Sequence, residues 1–265
     1  MSSTAPIGVF DSGIGGLTVV AALHRELPNE SILYLGDTAR VPYGTKSPDV
    51  VRRYALTCSR FLVAQGAKMV VVACNTASAH GIESMRSTLA VPVVGVIEPG
   101  AALAARHSQS GRIGVIGTEG TILSGSYQSA VRALRPEASV VAKPCPLFVP
   151  LAEEGLGEHP ATRLIAQDYL VPLTREGIDT LVLGCTHYPL LAHVIESVLG
   201  PQIEVIDSAT AVAGAVRDVL REHRLEATHK AEPDRFYATD VSQRFYRVGR
   251  AFLGEAIAEA HHVDL

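Results

Sequence analysis

No stretch of this sequence stays apolar for the roughly 20 residues that a bilayer-spanning helix needs, so no membrane segment is expected. Its start, MSSTAPIGVFDSG, lacks a basic segment followed by an apolar one, so no secretory signal peptide is expected either. Excess positive charge is missing. The formal net charge is −4 at pH 7, whereas a general nucleic-acid binder needs a basic face. Lysine is scarce: Lys46, Lys68, Lys143 and Lys230 stand beside nineteen arginines, a bias that carries no function by itself. Cysteine is scarce too. Cys58, Cys74, Cys145 and Cys185 contain no C-x-x-C pair, which argues against a thioredoxin-type site or a zinc knuckle. These absences lead to the expectation of a cytoplasmic protein with reduced thiols.

What is present describes a globular chain. Hydrophobic residues make up 47% of the 265 and charged residues 19%, enough for one large domain or two of ordinary size. Short runs rich in Val, Ile and Leu alternate with amphipathic stretches. The runs are 7–10, 32–35, 69–73, 93–97, 113–116, 140–142, 181–183 and 203–206. LTVVAALHRELP and SPDVVRRYALTCSRFLVAQG are among the helical patterns between them. Strands apolar on both faces and separated by helices predict an α/β fold with mostly parallel sheets covered by helices. In such sheets, ligands bind at the carboxyl ends of strands.

The apolar runs occur as two sets. IGVFDSGIGG at 7–16 resembles IGVIGTEGTI at 113–122, VVVACNTASA at 70–79 matches LVLGCTHYPL at 181–190, and VVGVIEPGA at 93–101 echoes IEVIDSATA at 203–211. The three matches keep their order at nearly one offset, which predicts an internal duplication. Two similar domains related by a pseudo-twofold follow, with a cleft between them: 1–99 plus 209–265, and 100–208. The tail supplies a strand-like RFYATDV and a helix SQRFYRVGRAFLGEAIAEA, and it is too short to fold alone. It should return to the first domain.

The duplication pairs Cys74 with Cys185. Either cysteine alone reads most simply as a small core residue. Two thiols facing one cleft from opposite sides suit stereoinversion at carbon, where one base removes a proton and the other delivers one to the opposite face. A free thiol has a pKa of about 8.5, and a helix N-terminus favours its anion. Both cysteines precede apparent helix starts, Asn75 and Thr76 in one case, Thr186 and Pro189 in the other. His187 is placed to tune the adjacent thiol. DSGIGG fits neither phosphate-loop pattern. Asp11 suits an ammonium group, and Ser12 with helix N–H groups suits a carboxylate. The competing reading is an ordinary turn whose glycines adopt positive φ. Tyr43 and Gly44 lie in a polar loop that either lines the cleft or is merely solvated. Glu153 and Glu154 are surface carboxylates by default, though one of them could assist His187. His24, His80, His107 and His193 have no mutual ligand spacing and are read as structural, and His261 and His262 as exposed. No metal site is expected.

DSGIGG, GDTARVPYG, ACNTASA, VIEPG and GCTHYPLL, in this order, resemble the glutamate racemases of the aspartate/glutamate racemase superfamily. The resemblance covers nearly the whole chain. It implies cofactor-independent interconversion of L- and D-glutamate, supplying D-glutamate for peptidoglycan, on two α/β domains with the active site between them. By motif it makes Cys74 and Cys185 the acid/base pair, acting on D- and L-glutamate respectively. It gives Asp11, Ser12, Tyr43, Gly44, Asn75, Thr76, Thr186 and His187 to substrate binding. Asp11, His187 and Glu153 become catalytic helpers, with Glu154 the alternative to Glu153. Glutamate is the implied partner, and assembly as a homodimer is left open.

Three other readings stand beside this one. A pyridoxal-phosphate racemase needs a Schiff-base lysine, for which only Lys46 is suitably placed. An aspartate racemase would use the same chemistry on a shorter substrate. A non-catalytic amino-acid sensor would bind in the cleft without exchanging the α-hydrogen.

Overall fold

A computed structural model describes residues 2–254, 257 and 259–265, with every side chain except that of Arg244. The described residues form ten strands: β1 (Ile7–Asp11), β2 (Ile32–Gly36), β3 (Met69–Val72), β4 (Val93–Gly95), β5 (Arg112–Gly117), β6 (Ser139–Pro144), β7 (Thr180–Gly184), β8 (Glu204–Asp207), β9 (Arg235–Ala238) and β10 (His261–His262). They build two sheets, ordered β10-β9-β2-β1-β3-β4 and β6-β5-β7-β8. Each strand pairing in both sheets is parallel. The fold is α/β, with helices flanking both sheets.

The sheets repeat one plan. The first four strands of each half lie in the order second, first, third, fourth. The register repeats as well. Ile7 pairs with Ile32 and Met69, while Ile113 pairs with Val140 and Thr180. Ile7 and Ile113 open one of the sequence matches, and Met69 and Thr180 stand one residue before another. β9 and β10 extend only the first sheet.

Period-two burial explains the layers. Ile7 and Val9 point to one apolar cluster and Phe10 to another. The largest cluster lies between the sheets and joins Ile7, Val9 and Val71 to Val115, Val182 and Ile206. Helices Leu17–Glu26, Ile97–His107 and Ser208–Glu222 fill this middle layer. Each sheet packs a second cluster on its outer face. Helix Pro48–Ala64 shows why: Pro48 opens it with φ preset, and Val51, Ala55, Cys58 and Leu62 fall on one buried stripe. Cys58 is thus a core residue.

The expected junctions fall on helices. Residues 99 and 100 lie inside Ile97–His107, and 208 and 209 begin Ser208–Glu222. The tail helix spans Gln243–Leu253, shorter than expected, and ends at Gly254 with φ +63°. Its expected continuation through Glu255, Ala256 and Ala258 lies outside the described residues. His261 and His262 are exposed but form an edge strand, which their polar pair did not suggest.

Candidate active site

β1, β3 and β7 are central strands, and their carboxyl ends converge on one small cavity of about 40 Å³. Its wall includes Ser12, Tyr43, Gly44, Cys74, Asn75, Thr76, Thr118, Cys185, Thr186 and His187. Cys74 follows β3 and Cys185 follows β7, the repeat-related strand. The two sulfurs therefore enter one chamber from the two sheets, at 5% and 6% exposure. Cys58 and Cys145 are buried elsewhere.

The two thiols have different surroundings. Cys74 caps helix Asn75–Thr88, its Sγ accepting the Ala77 N–H at 3.4 Å. Burial, with the Asp11 carboxylate nearby, nevertheless pushes this thiol up to about 12, against hydrogen bonds from Ser12 and Ala77. The expectation that a helix start would bring it toward neutrality is thus corrected: desolvation outweighs the helix end. Cys185 is not at an α-helix start. A 3-10 turn, Tyr188–Leu191, intervenes before Ala192–Leu199, with Pro189 in its first turn. In place of a helix end, Cys185 has His187, whose Nδ1 lies 4.0 Å from Sγ.

His187 is almost fully buried, and burial alone would lower its pKa. Contacts with Cys185 and Glu153, and the charge of Asp11, reverse this and hold it up at about 10. Its Nε2 is 3.0 Å from Glu153 Oε1. The ring N–H is not well aimed at that oxygen, so this contact is an ion pair rather than an aligned hydrogen bond. Glu154 lies instead 3.6 Å from Arg247. Phe252 of the tail helix packs edge-on near the His187 ring. Asp11 and Glu153 do not line the cavity. Asp11 is wholly buried, taking the Gly13 N–H at 2.9 Å and the Thr186 hydroxyl at 3.5 Å. Burial raises its carboxyl.

The DSGIGG glycines serve close approach. Among the described glycines with positive φ, Gly13, Gly15 and Gly16 do not appear. A Cβ on Gly15 would collide with Thr186 and with His187, and one on Gly16 would meet Asp11 Cβ at 2.5 Å. The helix start thus presses against the cysteine loop, and the left-handed turn expected as an alternative is absent at these positions.

Four further findings bear on the expected binding residues. The Tyr43 hydroxyl donates to Asp37, which leaves its oxygen only as an acceptor. Gly44 touches the other half of the molecule, where an added Cβ would lie 2.6 Å from Thr118 Cβ. Thr76 Oγ1 lies 2.8 Å from Thr118 Oγ1 and 3.1 Å from Thr121 Oγ1, a hydroxyl cluster that bridges the halves. Asn75 Oδ1 accepts from Tyr127, while Asn75 Nδ2 is buried without a partner.

Thr118, Thr121, Tyr127 and Asp37 were not singled out in the sequence. For Thr118 a signal existed, because it is the repeat counterpart of Ser12. Lys46 lines a separate hollow with His80 and Glu119, and Lys68 is buried against Glu30 at the other end of β3. Among the described residues no three His, Cys, Asp or Glu side chains are grouped to hold a metal, and no helix is long and apolar enough to cross a membrane.

Comparison with known proteins agrees with this architecture. The model of the Asp/Glu/hydantoin racemase family matches residues 7–216. A glutamate racemase of Geobacter metallireducens is 51% identical over 260 residues, covering 98% of this chain and 96% of the relative. A crystal structure of a glutamate racemase isoform from Bacillus anthracis superposes with a TM-score of 0.95 at 39% identity, covering 98% of each chain. One from Francisella tularensis, in complex with D-glutamate, gives 0.93 at 38% identity, covering 99% of this chain and 98% of that one.

Proposed function

The chain belongs to the Asp/Glu/hydantoin racemase family, and from that premise we propose that it interconverts L- and D-glutamate through Cys74 and Cys185. The observation that carries this is the placement of both sulfurs, from repeat-related strand ends, in the wall of one cavity. A D-glutamate complex among the structural relatives supports the choice of substrate.

In the L-to-D direction, Cys185 as thiolate takes the α-proton. Cys74, which burial and Asp11 keep as a thiol, releases its proton to the opposite face of the same carbon. Cys185 ends as thiol and Cys74 as thiolate, and proton exchange resets the pair. D-glutamate is processed from the opposite protonation state. The protonated His187 beside Cys185 gives that sulfur a proton partner, with Glu153 and Asp11 holding the imidazolium charge. The α-proton of a free amino acid is very weakly acidic, so developing negative charge needs preorganised donors. The free Asn75 N–H₂, with Ser12 and Thr186 in the same wall, is available for the substrate's carboxylates. A cytoplasmic location, homodimeric assembly and supply of D-glutamate for peptidoglycan belong to the same proposal, as does the division into 1–99 plus 209–265 and 100–208.

The test is incubation with L-glutamate in deuterated water without added cofactor. D-glutamate should appear carrying deuterium at Cα. Cys74→Ala and Cys185→Ala should each lower turnover by about 10²–10⁴-fold, the usual worth of a positioned acid or base. A Cys185→Ala variant that keeps most of its activity would sink the two-thiol mechanism.

A further inference from the structure

We propose that Tyr127 is a positioning residue that orients the Asn75 amide, so that its N–H₂ and not its carbonyl oxygen faces the substrate. This rests on the reading that the cavity holds a glutamate carboxylate.

An asparagine amide has two nearly isosteric orientations with opposite hydrogen-bonding character. Toward an anionic substrate, one offers donors and the other a repelling oxygen. Asn75 stands at the first position of helix Asn75–Thr88, and its side chain is 3% exposed. Its Nδ2 is buried, without a partner, on a residue of the cavity wall. Its Oδ1 accepts the Tyr127 hydroxyl at 2.7 Å. That phenol comes from the opposite half of the molecule, on helix Ser126–Leu134.

The phenol is held firmly. Tyr127 is 1% exposed. Its ring passes so close to Gly184 that a Cβ there would lie 3.1 Å from it, and its hydroxyl would be 3.4 Å from a Cβ on Gly100. The nearby Ser208 hydroxyl donates its one proton to the Leu183 carbonyl at 3.3 Å, and the phenol gives its own to Asn75 Oδ1. The reversed amide would give up the bond from the phenol proton and turn Oδ1, in place of Nδ2, toward the substrate carboxylate. The orientation that leaves Nδ2 for the substrate is the one Tyr127 selects.

The experiment is a double-mutant cycle on the full chain with Tyr127→Phe and Asn75→Ala. It is read by kcat/KM for glutamate and, separately, by the Kd of glutamate from calorimetry. Tyr127→Phe keeps the ring and should cost about tenfold in both readouts, the size of one lost hydrogen bond to a charged ligand. On the Asn75→Ala background the same change should cost less than twofold, because its target is gone. Equal losses on both backgrounds, or no loss on the parent, overturn the proposal. Asn75→Asp, which keeps an acceptor for Tyr127 but brings no donor, is the check if Tyr127→Phe does not fold. It should weaken glutamate binding at least as much as Asn75→Ala, and unchanged binding overturns the proposal. A parent chain that binds glutamate without racemising it defeats the functional reading, while the Kd cycle still decides the role of Tyr127.

Discussion

His187 links the cavity to the protein's response to pH. Its folded-state value of about 10 lies above the ordinary 6.5, because Cys185, Glu153 and Asp11 together outweigh burial. The folded state therefore holds this proton more tightly than the unfolded chain. The resulting stabilisation is complete below about pH 6.5 and is lost as pH rises toward 10. Glu153→Gln removes one contributor, so the variant should be less stable at pH 6 and lose its remaining benefit at lower pH than the parent. Urea unfolding at pH 6, 8 and 9.5 measures this, and identical pH dependence in the two proteins would remove Glu153 from the account. At this scale the sequence was legible where chemistry coincided with the repeat. Cys74 and Cys185 stood out because strand ends and an internal match point to them. Tyr127 and Thr121 did not, because their importance lies in partners 52 and 45 positions away. The Cys74 thiol was misjudged because sequence shows a helix start but not the desolvation that overrides it.

Among the elements, the segment from Asp37 to Thr45 forms the part of the cavity wall that touches both halves. Asp37 is its hub. This wholly buried carboxylate accepts from Arg40 Nε at 2.8 Å, from Thr239 Oγ1 at 2.9 Å and from the Tyr43 hydroxyl. Thr239 follows β9, so the returning tail fastens a loop of the cavity wall. Asp37→Ala would strand a guanidinium and two hydroxyls, a change of about 3–5 kcal/mol when a buried ionic partner is removed. The variant should show that loss in urea unfolding and a raised KM for glutamate, as Tyr43 and Gly44 lose their anchor. An unchanged KM would mean that the loop keeps its place without Asp37. The helical patterns and apolar strands were readable because their periods are local. The 3-10 turn after Cys185 was not, since Thr186 and Pro189 are equally at home in an α-helical first turn. Asp37's role depends on a residue 202 positions later.

For the whole molecule, the three short matches follow the repeat of the sheets in strand order; the first two also keep register, whereas the third sets Val93 on Ile203 where the sheets set it on Val205. The sequence did not reveal that the two halves share a core. Val115, Val182 and Ile206 of the second sheet belong to the same apolar cluster as Ile7, Val9 and Val71 of the first. Unfolding one half would expose the other, so a single cooperative transition is expected. Leu220, wholly buried in the layer between the sheets, supplies the test. Leu220→Ala should cost about 2–5 kcal/mol and shift one calorimetric transition as a unit. Two transitions, with only one moved, would show the halves to be energetically separate.

The two sulfurs occupy matching places with unlike neighbours, a helix end and Asp11 for one, an imidazole for the other. Free L- and D-glutamate are mirror images of equal energy in water, so their equilibrium ratio is one whatever the walls around them do. The unlike neighbours are therefore bound by a Haldane constraint. Any advantage in turnover that they give one enantiomer must be cancelled by a proportionate change in its KM, and the two catalytic efficiencies must stay equal.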